Sequence, residues 1–444
     1  HLEHNGVNLT SIESGADIYY FKKAGCFAIS LDGKLACADS GRDTPLVIYS
    51  LPDCKKLREL PGSSGFTPVF SPDNKMVAVI WNDAYNPRDQ YIRIWDVKSG
   101  SIVKNIPIPK FYTIGQIKFS PDSKNIVLGS DGMGSGERIF IWDVASGSLT
   151  KKISIPEKHE SSPFDISAKG SIVTASHYDG TIRLWDMKTG QAVKVINTNK
   201  AVDSIAFSPD SNLLFTGGYD GMQIFNAANG SQASIVTEGG EWILYTDDGY
   251  FDSSKNGGKF LAMVNGLEGF SIDQFAVRNN RPDIIFSQLG LGSKELIDNF
   301  HQQYLKRLRK LGFVNSKGEA DESLLSGEIH APVSKITQVK TSGKKSDVSI
   351  EFSDTLYPVK RYNVYVNDVP LYGAYGKEIS GKKASVNETV ELTNGDNKIE
   401  VSCINEKGTE SFRALAIAQY SKPSKGDLYF IGFGVSKYRD SSLD

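Results

Sequence analysis

Along the first half of the chain, short apolar runs alternate with turn residues, and the pattern recurs. Ile94-Trp95-Asp96 returns as Ile141-Trp142-Asp143 and Leu184-Trp185-Asp186, with looser copies at Ile224-Phe225-Asn226 and Ile48-Tyr49-Ser50. The last residues of the five, 50, 96, 143, 186 and 226, stand 46, 47, 43 and 40 apart. Phe70-Ser71-Pro72-Asp73 keeps step with them as Phe119-Ser120-Pro121-Asp122 and Phe207-Ser208-Pro209-Asp210. Degenerate copies are Ile29-Ser30-Leu31-Asp32 and Ile166-Ser167-Ala168-Lys169. After the tripeptides come Ser99-Gly100, Ser146-Gly147, Thr189-Gly190 and Asn229-Gly230. Each unit predicts a short antiparallel sheet. Ser-Pro-Asp is a turn, because Pro presets φ and Asp can bond its own backbone. Runs such as Met76–Ile80 and Ile126–Leu128 are inner strands buried on both faces. Tyr178-Asp179-Gly180 and Tyr219-Asp220-Gly221 are hairpin turns. The Trp strands alternate sides, which sets Trp between neighbouring sheets.

A period of this length with this order resembles the WD-repeat β-propeller family. The resemblance covers residues 25–235 and implies an all-β fold, with the repeats as blades. The Gly-His dipeptide usual between units is absent, so the family's buried Asp–His–Ser–Trp network is expected to be incomplete. Residues 1–24 are expected to supply part of another blade. Trp242–Thr246, Tyr250–Asp252 and Phe260–Val264 also read as strands, and six or seven blades are expected over residues 1–275.

The period then changes. Ser293 stands where a helix N-cap belongs, and Ile297, Phe300, Tyr304, Leu308 and Leu311 follow on one face, with Gly312 as the stop. Lys306, Arg307, Arg309 and Lys310 crowd its last turns. They read either as a basic patch for nucleic acid or membrane or, more plainly, as cations complementing the helix C-terminus. Residues 315–329 are polar and predict a linker, making 276–329 a helical connector. From 330 to 424, candidate strands Asp347–Phe352, Tyr362–Val366, Glu388–Leu392, Asn397–Ile404 and Ser411–Ala418 suggest an immunoglobulin-like sandwich without the Cys…Trp…Cys pattern of antibody domains.

Residues 425–444 differ again. Leu428–Val435 is an apolar run bounded by Gly, the first in the chain to read as a buried parallel-type strand. With Leu428, Tyr429, Gly434, Val435, Tyr438 and Asp440, the segment resembles the opening strand of the caspase-like domain of bacterial cysteine peptidases, the caspase/metacaspase family. Asp248–Ser253, Arg281-Pro282-Asp283 and Asn394–Val401 are similar to segments between propeller and peptidase in such proteins. The resemblance implies a Cys nucleophile and a His that aids it, both downstream of the opening strand. No residue before Asp444 takes either role, so no catalytic residue is assigned here.

Composition narrows the alternatives. The chain has 444 residues, 50 basic and 52 acidic, for a formal charge of −2. That balance favours neither nucleic acid nor membrane as a partner. Cys26, Cys37, Cys54 and Cys403 form no CxxC pair and read as packed small side chains, and His159, His177, His301 and His330 as structural or surface residues. No Walker A loop, HExxH, GxSxG or EF-hand pattern occurs, so no cofactor or metal is expected. The start, without Met, shows no signal sequence, and sparse cysteines favour the cytoplasm. Two long loops, Asn82–Gln90 and Gly129–Glu137, are the expected rim contacts for a protein partner, through Asp83, Tyr85, Arg88, Asp131, Met133 and Glu137. The function this implies is a non-catalytic region that docks partners and positions a C-terminal peptidase in cis. The alternative is a stand-alone scaffold for protein–protein contacts. A propeller hydrolase or lectin would need acids or His clustered on the axis, and the sequence supplies no such set.

Overall fold

The computed structural model describes residues 6–10, 17–22, 27–38, 44–61, 68–82, 90–108, 114–130, 137–154, 163–177, 180–198, 200–219 and 221–421. The protein is mostly β and divides into two compact units, residues 1–254 with 282–297 and residues 255–281 with 298–444. The segment 425–444 lies outside the described residues.

In the first unit each repeat becomes one antiparallel sheet whose strands follow chain order. The first sheet holds Phe27–Ile29, Leu35–Ala38, Leu46–Ser50 and Lys56–Leu60. The second holds Val69–Phe70, Met76–Asn82, Gln90–Asp96 and Ile102–Pro107. The third holds Ile114–Phe119, Asn125–Ser130, Glu137–Asp143 and Leu149–Ser154. The fourth holds Phe164–Ile166, Ile172–His177, Thr181–Asp186 and Ala192–Asn197. The fifth begins in the same way, with Ser204–Phe207, Leu213–Gly218, Gly221–Asn226 and Gln232–Glu238. It then gains Glu241–Tyr245 and Phe251–Ser253. Two of the extra strands expected after residue 236 therefore widen the fifth sheet instead of opening another. The third, expected over Phe260–Val264, forms as Ala262–Asn265 after a 3-10 turn, Gly257–Phe260, and pairs with Glu268–Ser271 as a hairpin in the second unit.

Consecutive sheets share apolar cores, with the repeat aromatic at each junction. Trp95 packs with Cys37, Ile48 and Leu60 of the first sheet. Trp142 sits with Ile80, Ile92 and Ile106 of the second. Trp185 meets Val127, Ile141 and Ile153 of the third, and Phe225 meets Ile182, Leu184 and Ile196 of the fourth. Fully burying such side chains contributes ~1.5–3 kcal/mol each. Leu9, on the hairpin of Gly6–Thr10 with Asp17–Lys22, packs against the first sheet. The far side of the fifth sheet is covered by a helix that the sequence read as connector. Ile285 and Leu289 of Pro282–Leu289 are fully buried against Leu213, Ala233 and Leu244.

Polar ties reinforce the apolar junctions. In the Ser-Pro-Asp turns the hydroxyl donates to the carboxylate, Ser71 to Asp73 at 2.6 Å and Ser120 to Asp122 at 2.6 Å. The next residue is left-handed, with φ of 57° at Asn74, 60° at Ser123 and 63° at Ser211. That conformation turns its side chain to the preceding sheet: Leu31 N donates to Asn74 Oδ1 at 3.2 Å, Asp73 N to Ser123 Oγ at 3.2 Å, and Ala168 N to Ser211 Oγ at 2.8 Å. Asp165 joins three sheets, receiving Lys118 Nζ at 2.8 Å and Phe207 N at 2.7 Å. Trp95 Nε1 donates to Pro61 O at 3.3 Å, a backbone acceptor in place of the Ser–His relay.

In the second unit, a three-stranded sheet of Val333–Ser342, Lys345–Ser353 and Lys383–Glu391 faces a second sheet. The second is built on Val359–Val366, Gly395–Asn405 and Ala414–Tyr420. One core is shared by both, with Val348, Ile350, Phe352 and Val390 from one side and Val364, Ile399, Val401 and Cys403 from the other. The helix Lys294–Leu311 forms as predicted. Ser293 Oγ accepts Leu296 N at 3.3 Å, and Gly312, at φ 79°, closes the C-terminus with Phe313 N donating to Leu308 O. Its face of Tyr304, Leu308 and Leu311 packs on Val277, Phe313 and Leu325. Residues 315–329 do not form a slack linker. Asn315 Oδ1 takes Lys317 N and Glu319 N, Asp321 caps Glu322–Leu325, Leu325 is buried, and Glu322 pairs with Arg281 at 2.9 Å.

Candidate functional site

Asp83, Tyr85, Arg88, Asp131 and Met133 lie outside the described residues. Glu137 opens the strand Glu137–Asp143, and its side chain lies outside them too. What is described is the base of the first loop. Trp81 and Tyr91, a cross-strand pair, have ring centroids 6.1 Å apart. The Arg93 guanidinium lies 4.1 Å from the Trp81 ring centre, and its Nε donates to Asn105 Oδ1 at 2.7 Å. A half-buried cation–π pair of this kind ties the strands at the base of the loop.

The opposite ends of the sheets carry the turns after the Trp strands. Asp96 Oδ1 accepts both Ser99 N, at 2.6 Å, and Ser99 Oγ, at 2.7 Å, and Asp143 does the same with Ser146. These bonds hold both carboxyls below the usual carboxylate range. A cation from the preceding sheet lies over each turn glycine, with Arg58 on Gly100, Lys104 on Gly147, Lys151 on Gly190 and Lys194 on Gly230. Arg58 Nη1 donates to Ser99 O at 2.9 Å, and Lys194 Nζ to Ala227 O at 3.4 Å and to Ala228 O. The four cations each stand nine residues after Tyr49, Trp95, Trp142 and Trp185, so a signal for this clasp was present in the sequence. The fifth unit has Ser234 at that place.

Concave surfaces are also found among the described residues of the first unit. A cleft of about 440 Å³ runs between the outermost strand of the fourth sheet and the segments Asn229–Gln232 and Thr246–Asp248. A shallower apolar one, about 400 Å³, lies on the fifth sheet over Ile205, Ala206, Phe215 and Met222.

Among the described residues, Cys and His side chains are engaged structurally. Cys403 is fully buried, takes a contact from Ser334 Oγ at 3.5 Å, and burial pushes its thiol up to about 11. Cys54 is buried and its thiol is also raised by burial, while Cys37 packs in the first core and Cys26 lies outside the described residues. A nucleophile needs the opposite shift. His330 Nε2 is 3.0 Å from Asp354 Oδ1, a carboxylate that also accepts Leu356 N, Tyr357 N and Asn405 Nδ2. His301 stacks near Tyr304 in the helix. Of the helix cations, Lys306, Arg309 and Lys310 are exposed, whereas Arg307 bonds Asn280 O at 2.8 Å. Among the described residues no three metal-ligating side chains converge, and no helix is long and apolar enough to cross a membrane.

Comparison with known proteins agrees with the repeat geometry. Residues 150–186 and 190–222 match the family model "WD domain, G-beta repeat". The WD repeat-containing protein SL1-17 of Schistosoma mansoni is 32% identical over 90 residues, 19% of this chain and 30% of that one. The U3 small nucleolar RNA-associated protein 21 homolog of Schizosaccharomyces pombe is 26% identical over 128 residues, 29% of this chain and 13% of that one. A chain of Kuenenia stuttgartiensis hydrazine synthase aligns with a TM-score of 0.43 at 16% identity, covering 51% of this chain and 78% of that one. The chain spans less than a third of the length of the curated relatives it matches. The chain therefore carries WD repeats in its first unit.

Proposed function

We propose that the five sheets are blades of a six- or seven-bladed propeller, that residues 330–424 form an immunoglobulin-like sandwich, and that together they dock a protein partner and position a caspase-like cysteine peptidase joined at the C-terminus. The propeller reading is supported by the unbroken succession of shared cores and by Leu9 packing on the free side of the first sheet. The sandwich reading rests on two antiparallel sheets around one core. The observation that carries the functional reading is the chain of ties from sheet to sheet, which makes a stiff frame for the loops 83–89 and 131–136. Burial of the Cys54 and Cys403 thiols supports reading these two residues as packing side chains.

The peptidase half rests on the sequence resemblance of Leu428–Asp440. Reading the gene past Asp444 tests it directly: a His-Gly segment followed by Asp-x-Cys is expected, and its absence leaves only the scaffold. The docking half is tested by capture of a partner with both loops scrambled. Binding that survives the change removes the loops from the interface.

A further inference from the structure

The outermost strand of the fourth sheet has the least guarded edge among those described in the array. Its counterparts carry Lys56, Arg58 and Glu59 in the first sheet, Lys104 and Pro107 in the second, and Lys151 and Lys152 in the third. Charges and Pro at these places discourage a further strand from pairing. The fourth sheet has Ala192-Val193-Lys194-Val195-Ile196-Asn197, with a single charge and no Pro, and Lys194 bonds the following turn as Arg58 and Lys151 do in their sheets. Val193 is 60% exposed and Val195 53%.

The 440 Å³ cleft opens beside this strand. On its far wall Gln232 gives Nε2 to Asp247 Oδ2 at 2.6 Å. Its Oε1 is buried and receives no donor among the described residues. A buried acceptor left in this state is unfavourable, and a donor supplied from outside would satisfy it. Asp247 and Asp248 stand exposed at the mouth, and carbonyl oxygens already engage the ammonium of Lys194. The wall is therefore acidic and rich in acceptors, next to a strand edge flanked by two exposed valines.

We propose that an extended segment of a protein partner adds as a fifth strand to the fourth sheet along Ala192–Asn197 and places a Lys or Arg side chain against Asp247, Asp248 and Gln232 Oε1. Main-chain bonds supply pairing, Val193 and Val195 supply apolar contact, and the acidic wall supplies the choice of side chain. The proposal deepens the scaffold reading and is independent of the peptidase.

The test uses three libraries of nine-residue peptides, with Arg fixed at the centre, with Glu fixed there, and with Arg flanked by Pro on both sides. Fluorescence anisotropy reads binding, and hydrogen exchange reads residues 192–197. The Arg library is expected to bind the whole chain, to slow exchange along 192–197, and to lose at least tenfold in affinity when Asp247→Asn and Asp248→Asn are combined. Val193→Lys, a surface change that restores the guard, is expected to weaken it as well, with thermal unfolding confirming that both variants fold. Absent binding, equal binding of the Glu or Pro-flanked library, or unchanged affinity in either variant overturns the proposal. Capture through the loops 83–89 and 131–136 would stand apart from that result.

Discussion

The side-chain amide of Asn226 donates to the carbonyl of Leu289 at 3.0 Å, while its Oδ1 accepts Ala228 N at 2.9 Å and Asn229 N at 3.0 Å. The intact repeats have Asp at this place, which can only accept. Asn holds the same turn and also caps the helix Pro282–Leu289, and Asn229 Nδ2 adds a bond to Gln288 O at 3.2 Å. The repeat with Asn in place of Asp is thus the one that receives the helix. Asn226→Asp is expected to keep the turn, leave Leu289 O without its donor and set a negative charge at the negative end of the helix. The loss should be about 1–2 kcal/mol by urea unfolding. A variant as stable as the parent would remove the cap from the account.

Gly100 stands at φ 70°, and a Cβ there would lie 2.4 Å from Arg58 Cδ. Gly33 has a similar φ of 69° with nothing within 4 Å of a Cβ. Gly33→Ala therefore reads backbone strain alone, about 1–2 kcal/mol. Gly100→Ala is expected to cost more, and combining it with Arg58→Ala should cancel the excess. Equal costs for the two alanines would show that the clasp has no energetic role.

Trp, Ser-Pro-Asp and Gly placed the sheets and their junctions in the sequence because each of those residues has a strong local preference and recurs in register. The helix Pro282–Leu289 lies within the expected helical connector, but its packing on the fifth sheet is a long-range choice that the sequence did not show. The strands after residue 238 were visible as strands, yet alternation cannot say which sheet a strand joins. Polarity suggested a linker over 315–329, but Asn315 and Asp321 use that polarity to cap their own turns. The cations at the clasp looked like surface residues one at a time, and their common offset becomes informative once the Gly beneath each is seen. The cleft was not legible because Gln232, Asp247 and Asn197 come together only through the arrangement of two sheets.

Acid should unfold the repeats by a defined route. The Ser120 hydroxyl and Lys124 N–H hold Asp122 below the carboxylate range, and the Ser208 hydroxyl does the same for Asp210. A folded pKa below the unfolded value of about 3.9 means that the contribution is present above that value and is lost as pH falls through the folded pKa. Asp273 has the opposite sign, since burial pushes it up, so its penalty grows as pH rises above about 4. Thermal unfolding from pH 2.5 to 7 is expected to show a steep loss below about pH 4 that Asp122→Asn makes shallower. Asp273→Asn should relieve destabilisation only on the higher side. An Asp122→Asn curve parallel to the parent throughout would contradict the assignment.

Trp95, Trp142 and Trp185 are 0%, 2% and 4% exposed, and each fills a junction between two sheets. Replacing any one by Ala should cost about 3–5 kcal/mol, because the walls are strands that cannot collapse into the space. Phe225→Ala should fall in the same range, as the aromatic at the fourth junction is equally enclosed. Melting temperatures unchanged in all four variants would mean that the sheets do not support one another.

Cys403 gives a sharp check on the proposal that the second unit supplies no nucleophile. Its thiol is enclosed by Val401 and the two sheets, beside the Ser334 and Ser411 hydroxyls, and burial holds it protonated well above neutral pH. Alkylation requires the thiolate and a path for the reagent, and the folded sandwich provides neither. Iodoacetamide at pH 7.5 is therefore expected to leave Cys403 unmodified in the native chain and to label it fully in guanidinium, with mass spectrometry of the peptide around residue 403 as the readout. Cys403→Ser is expected to leave any activity of a longer chain unchanged while lowering stability, because a more polar group then occupies an apolar core. Rapid native labelling, or loss of peptidase activity at constant fold, would move the nucleophile into this unit and reverse the assignment of holder and catalyst.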